Sequence, residues 1–98
     1  MSDQSDLFSL QAREDLFEIW TYIAARDVDI ADKVFDRIMD TAGLVVRLPN
    51  LGRGRDEFGR NMRSIPIGPY VMFYAKHPRG VVIIRVLHGS RDIPPFLS

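Results

Sequence analysis

The sequence contains no cysteine, so disulfide bonds and thiol nucleophiles are excluded. It has only two histidines, and a zinc site would have to combine these with carboxylates. Phosphate-binding loops, paired-carboxylate sites and metal-ligand clusters are also missing from its motifs. We therefore expect neither a metal ion nor another cofactor.

Long apolar runs are absent as well. The first ten residues are polar and acidic, without the basic start and apolar segment of a signal peptide. No stretch approaches the length of a membrane span. We expect a cytoplasmic protein with no membrane partner, and a length of 98 residues leaves room for one domain, residues 1–98.

The net charge is zero, but the two halves of the chain differ in sign. Residues 1–50 carry ten acidic and five basic residues, whereas residues 51–98 carry three acidic and eight basic residues. A basic half can attract nucleic acid or an acidic protein surface. Acidic helices that balance a basic sheet explain the pattern equally well.

The first half predicts two amphipathic helices, because apolar residues recur at intervals of three and four. Ser9 suits the N-cap of the first helix, and Asp27 or Asp29 suits that of the second, which Pro49 should end. Gly43 lies inside the second helix, where a close contact would explain it. The apolar stripes are Ala12, Leu16, Ile19, Trp20 and Ile23, then Ala31, Val34, Phe35, Ile38, Ala42 and Val45. The acidic residues off the first stripe should face water: Glu14, Asp15 and Glu18.

The second half predicts strands. Residues 51–59 hold three glycines and predict a surface loop, and strands are expected over 63–67, 70–75 and 81–87. The last segment is almost continuously apolar, which is typical of a central strand buried on both faces. Residues 6–8 could add a short first strand.

These elements predict an α+β fold, in which an N-terminal helical hairpin packs on one face of a small antiparallel sheet. The sheet would contain the short N-terminal strand and a three-stranded C-terminal meander. Period-two alternation places Tyr70, Met72 and Tyr74 on one face of the middle strand. We predict that these three side chains line the more open face.

Three segments resemble ParE toxins of the wider ParE/RelE superfamily. Residues 14–24, EDLFEIWTYIA, are similar to the first ParE helix, and residues 48–74 resemble the ParE loop and following hairpin. Residues 83–97, IIRVLHGSRDIPPFL, are similar to the ParE C-terminal strand and tail. The resemblance implies a toxin of a type II toxin–antitoxin system, neutralised by a ParD-like antitoxin and directed against DNA gyrase.

On this interpretation the chain binds proteins and has no catalytic residues. We do not expect direct sequence-specific binding to nucleic acid. The candidates for target binding lie in the basic C-terminal half: Arg85, His88 and Arg91. The candidates for antitoxin binding are one helical residue and four strand residues: Trp20, Arg63, Tyr70, Met72 and Tyr74.

Two alternatives remain open from the sequence. A RelE-like endoribonuclease would use His88 and Arg85 as catalytic groups, although Pro69 stands where many relatives have arginine. The second alternative is a chain that binds antitoxin but is no longer toxic. The structural interpretation of Arg85 is an ion pair with a helix acid or with Asp92, and that of His88 is a backbone hydrogen bond that fixes the tail.

Overall fold

The computed structural model describes residues 7–91 of the chain. Two helices are followed by four strands of one antiparallel sheet, and a short 3-10 helix separates the first two strands. This order confirms the predicted α+β class. The elements are α1 (Leu10–Ala24), α2 (Val28–Arg47), β1 (Arg53–Gly54), the 3-10 helix (Asp56–Phe58), β2 (Met62–Ile67), β3 (Tyr70–His77) and β4 (Gly80–His88).

Both helices begin at their predicted caps. The Ser9 hydroxyl accepts a hydrogen bond from the Ala12 backbone N–H at 3.0 Å, and the Asp27 carboxylate accepts one from Ile30 at 3.0 Å. α2 ends at Arg47, two residues before the predicted stop at Pro49. The buried apolar residues of the two helices are Ala12, Leu16, Ala31, Ile38, Ala42 and Val45.

The strands form a meander in the order β1-β2-β3-β4. The expectation of a central last strand is wrong, because β4 lies at the edge of the sheet. The fourth strand is Arg53–Gly54, within the predicted loop, and not the N-terminal segment. Of that segment, Asp6 lies outside the described residues, and Phe8 forms only an isolated parallel bridge with Ile83.

The outer edge of β4 is covered by the start of α1. The Ser9 backbone N–H donates to the Ile83 carbonyl at 2.9 Å, and its hydroxyl donates to the Ile84 carbonyl at 2.8 Å. The pairing register shifts beside Ile84, where Phe73 pairs with Arg85 but Tyr74 pairs with Ile83. These contacts satisfy backbone groups that an exposed edge strand would offer to another chain. The apolar character of β4 has another cause, since Val81, Ile83 and Val86 pack in the core that the sheet shares with the helices.

The predicted orientation of β3 is also wrong. Tyr70, Met72 and Tyr74 are buried and belong to the core that the sheet shares with the helices. Alternation correctly placed them on one face, but the helices cover that face. On the opposite face the Phe58 ring packs edge-on against Phe73, with ring centroids 5.3 Å apart.

Tyr74 also links the core to the loop that follows α2. Its buried hydroxyl donates to the Pro49 carbonyl at 2.8 Å and accepts from the Gly52 backbone N–H at 2.8 Å. A Cβ atom at Gly52 would lie only 2.6 Å from this hydroxyl, so the approach requires glycine. By contrast, a Cβ atom at Gly43 would meet only the Arg47 guanidinium, at 3.8 Å. The close contact expected at Gly43 is therefore absent.

Within residues 7–91, neither helix combines the length and apolar character needed to cross a membrane. The same residues contain no group of three or more potential metal ligands.

Candidate interaction sites

Asp15 and Arg85 join α1 to the last strand. The Asp15 carboxylate accepts hydrogen bonds from the Arg85 guanidinium at 2.8 and 2.9 Å, and a third from the Val86 backbone N–H at 3.0 Å. Asp15 is buried, so the prediction that it faces water is wrong. The predicted ion pair between Arg85 and a helix acid is confirmed. Three charge-assisted hydrogen bonds offset the free-energy cost of removing the carboxylate from water.

His88, at the end of β4, contacts β3 and the following turn. Its ring meets the Tyr70 ring edge-on, with centroids 5.5 Å apart. Its Nδ1 atom accepts from the Ser90 backbone N–H at 3.3 Å, so His88 makes the predicted backbone hydrogen bond. Asp92, the alternative partner proposed for Arg85, lies outside the described residues.

Arg91 packs against α1. Its guanidinium carbon lies 5.4 Å from the centre of the exposed Tyr22 ring, a cation–π geometry. Of the three predicted target-binding residues, Arg91 lines a depression of about 300 Å³. Arg85 and His88 do not line it, but they contact two of its lining residues, Asp15 and Tyr70. We call this region the β4 corner; its lining residues are Asp15, Glu18, Ile19, Tyr22, Tyr70, Val86 and Arg91.

A second concave surface lies between α1 and α2, and we call it the helical groove. Its volume is about 520 Å³, and most of its lining residues are apolar. Phe17 is 71% exposed and Phe35 is 38% exposed, which is unusual for large aromatic side chains in a small domain. The lining residues are Phe8, Arg13, Leu16, Phe17, Trp20, Asp32, Phe35 and Met39.

Trp20 is the one predicted antitoxin-binding residue in this groove. Its indole N–H donates to the Asp32 carboxylate at 2.8 Å and so ties α1 to α2. The ring remains partly exposed. An aromatic residue held in this way can contact a partner with little further loss of conformational freedom.

The other four antitoxin-binding candidates are held within the fold. Arg63 donates to the carbonyls of Gly52 at 2.6 Å and Asn50 at 3.4 Å, so it braces the loop after α2. Met72 and Tyr74 have no exposed surface to offer a partner in this conformation. Tyr70 is 7% exposed and lines the β4 corner instead of an open sheet face.

The sequence interpretation missed Phe17 and Tyr22. Both lie off the apolar stripe of α1, where an isolated aromatic residue gives no periodic signal. Their position on α1 places one in the helical groove and the other in the β4 corner. A search for large aromatic residues off the buried stripe would have found both.

Comparison with known proteins identifies the family. Residues 7–93 match the family model described as the ParE toxin of the type II toxin–antitoxin system parDE. The chain belongs to the ParE toxin family. It is accordingly a toxin component of a type II toxin–antitoxin system, as the resemblance implied.

Two relatives of this ParE-family chain come from Caulobacter vibrioides. Toxin ParE1 is 34% identical over 91 residues, which cover 92% of this chain and 94% of the relative. Toxin RelE3 is 30% identical over 83 residues, covering 81% and 87% respectively.

The fold is also shared with a solved structure from the chromosomal ParDE TA system of P. aeruginosa. That match has a TM-score of 0.69 and covers 83% of this ParE-family chain and 90% of the other chain. At 19% identity, the likeness concerns the fold alone.

Proposed function

We propose that this ParE-family toxin inhibits DNA gyrase by binding it, and that a ParD-like antitoxin keeps the toxin inactive. The toxin would act in the cytoplasm, where gyrase and its DNA substrate are found. Family membership supports the general role, and the parDE system named for the family supports the antitoxin. Gyrase is the target that the ParE resemblance of the sequence implies.

The helical groove is the surface on which we place the antitoxin. It is elongated along two helices and lined by aromatic and aliphatic side chains, a surface that suits the apolar face of an amphipathic helix. Arg13 and Asp32 lie at the same groove and can pair with polar residues that flank such a face. The exposure of Phe17 is the observation that carries this assignment, since burial of an aromatic ring contributes strongly to binding.

The β4 corner is the surface on which we place the target. Arg91 and His88 lie beside the aromatic rings of Tyr22 and Tyr70, a combination of charge and aromatic surface that is common at interfaces. Arg85 contributes through its ion pair with Asp15, which holds α1 against β4 and so fixes the shape of the corner.

The contacts of Arg85 favour binding over catalysis. Ribonucleolytic cleavage needs a cation to stabilise the charge that develops on the phosphate. The Nε and Nη2 groups of Arg85 are instead directed at Asp15, whose negative charge offsets the guanidinium. Pro69, at the turn before β3, has no charge to take its place. His88 alone would then have to supply acid–base catalysis.

Induced expression in bacteria without the antitoxin tests the proposal. Viability, chromosome breakage and the integrity of transcripts should be followed in parallel. We expect loss of viability with broken DNA and intact transcripts, and we expect Arg91→Ala to relieve it. Lys33→Ala, an exposed basic residue of α2, is the matched control.

Each other outcome contradicts the proposal in a different way. Cleaved transcripts with intact chromosomes, abolished by His88→Ala, would identify an endoribonuclease. Normal growth at a verified protein level would identify a non-toxic chain that retains only antitoxin binding.

A further inference from the structure

Basic residues gather at one end of the sheet, away from both surfaces described above. Residues 53–80 contain six basic residues and only two acidic ones. The loop between β1 and β2 and the turn between β3 and β4 lie side by side at this end. The Lys76 backbone N–H donates to the Asn61 carbonyl at 3.1 Å, and that of Arg55 donates to Met62 at 2.8 Å.

Three of these basic residues are already engaged. Arg63 donates to loop carbonyls, Lys76 donates to the Asn50 side chain, and Arg55 donates to Ser64 and Glu57. Glu57 balances Arg55: a hydrogen bond from its own backbone and the adjacent guanidinium lower the pKa of its carboxyl, and the charge of Arg53 lowers this pKa further. At neutral pH this pair therefore adds little net charge.

The other three are Arg53, Arg60 and Arg79, which we call the basic end. All three are exposed, and their guanidinium groups form no hydrogen bond or ion pair with any residue between 7 and 91. Arg60 precedes β2, and Arg79 lies in the turn before β4. Since β2 and β4 are separated by one strand, their backbones are about 10 Å apart. Arg53 lies one strand further away, in β1. Three exposed cations spread across the sheet in this way match successive phosphates of a nucleic acid backbone better than a single small anion.

The surroundings favour a nucleic acid over an acidic protein. Protein interfaces usually have an apolar centre, whereas nucleic acid interfaces are polar and strongly positive. Of the exposed large apolar residues in the described part of the chain, Leu51 alone lies within two residues of the basic end, and the others lie in α1, in α2 or at Leu48. Phe58, the nearest aromatic residue, packs against Phe73 and beneath Arg55. Because it is not free to stack on unpaired bases, duplex DNA fits better than a single strand.

The charges on the helices determine which surface of the chain would face DNA. The helices expose four basic side chains and six acidic ones, the latter being Glu14, Glu18, Asp29, Asp32, Asp36 and Asp40. Because the acidic side chains outnumber the basic ones, phosphates would be repelled from the helices relative to the basic end. The chain would therefore approach DNA with the end of its sheet and keep the helical groove away from it.

We infer that Arg53, Arg60 and Arg79 form a contact site for the phosphate backbone of duplex DNA, without preference for its sequence. The site is separate from the proposed antitoxin and gyrase surfaces. It goes beyond the proposed function and does not depend on it, since DNA alone suffices to detect it.

Fluorescence anisotropy with a labelled random-sequence DNA duplex tests the inference on the purified full chain. Three phosphate contacts predict a slope of about −2.7 in a plot of log affinity against log salt concentration. A fourfold rise in salt should then weaken binding about 40-fold. The variant Arg53→Ala/Arg60→Ala/Arg79→Ala should lose at least about tenfold in affinity at low salt and most of the slope.

The matched control is Arg26→Ala/Lys33→Ala/Arg37→Ala, which removes the same charge from the helical hairpin and should bind DNA as the unaltered chain does. Thermal unfolding of both variants tests whether they remain folded. Equal losses of DNA affinity in the two variants would show that net charge alone causes the binding, and this would overturn the inference. It is also overturned if the unaltered chain does not bind duplex DNA at low salt, or if it binds single-stranded DNA or RNA more tightly than duplex DNA. DNA binding by a chain that leaves gyrase unaffected would contradict the proposed function only.

Discussion

The Asp15 carboxylate and the Arg85 guanidinium meet in a two-point ion pair that fastens α1 to the edge strand β4. Asp15 is almost fully buried, whereas the Arg85 side chain is 39% exposed. The pair is therefore partly screened by solvent, and Asp15 also satisfies the edge of the sheet by accepting the third bond, from Val86.

Asp15→Asn should destabilise the fold. The amide keeps the size of the side chain but removes its charge and at least one acceptor, so bonds to Arg85 and Val86 are weakened. Hydrogen bonds to charged groups contribute about 1.5–3 kcal/mol each, and exposure of Arg85 reduces its share, so we expect a loss of about 2 kcal/mol. Urea unfolding measures this loss of stability. Glu14→Gln, at an exposed neighbour, should change stability by less than about 0.5 kcal/mol; an equal loss there would contradict the assignment.

Tyr74→Phe should also destabilise the chain, because the lost hydroxyl serves both the Pro49 carbonyl and the Gly52 backbone N–H. Leaving buried polar groups without partners costs about 1–3 kcal/mol. The matched control is Tyr22→Phe, since that ring is 59% exposed. If both variants unfold at the same denaturant concentration, the hydroxyl of Tyr74 does not have this structural role.

Two glycine substitutions should have opposite effects on the free energy of unfolding. Gly52→Ala would force a Cβ atom to within 2.8 Å of the Ser64 carbonyl, and overpacking of this kind costs about 1–3 kcal/mol. Gly43→Ala should stabilise α2 by about 0.5–1 kcal/mol, because alanine favours the helix and space is available. Thermal unfolding of both variants decides the matter, and destabilisation by Gly43→Ala would reveal a contact that the structure lacks.

Phe17→Ala should weaken binding of the cognate antitoxin without weakening the fold. Truncation of an aromatic residue central to an interface typically costs about 2 kcal/mol or more, which corresponds to roughly 30-fold in affinity. Isothermal titration calorimetry with the antitoxin measures this change. Leu48→Ala is a suitable control, because Leu48 is exposed but lies outside the helical groove. Unchanged affinity for Phe17→Ala would place the antitoxin elsewhere.

Local signals explain what the sequence predicted well. Ser9 and Asp27 were identified as helix caps because capping depends on residues within one turn. The apolar stripes that follow these caps predicted both helices, and the aromatic and branched residues of β3 and β4 predicted the two long strands.

Tertiary packing explains what was predicted wrongly. Alternation sorts Tyr70 and Phe73 onto opposite faces of β3 but does not tell which face the helices cover. An apolar segment such as β4 is read as central, although here α1 covers its edge. Asp15 lies off the apolar stripe, and its burial is explained by its distant partners Arg85 and Val86.

The most direct test of the central claim is the action of the purified chain on purified gyrase with plasmid DNA. The proposal predicts that the chain inhibits supercoiling and stabilises cleaved DNA, that Arg91→Ala reduces both effects, and that the cognate antitoxin abolishes them. Unchanged supercoiling with no cleaved DNA, measured with a chain that still binds the antitoxin, would contradict it.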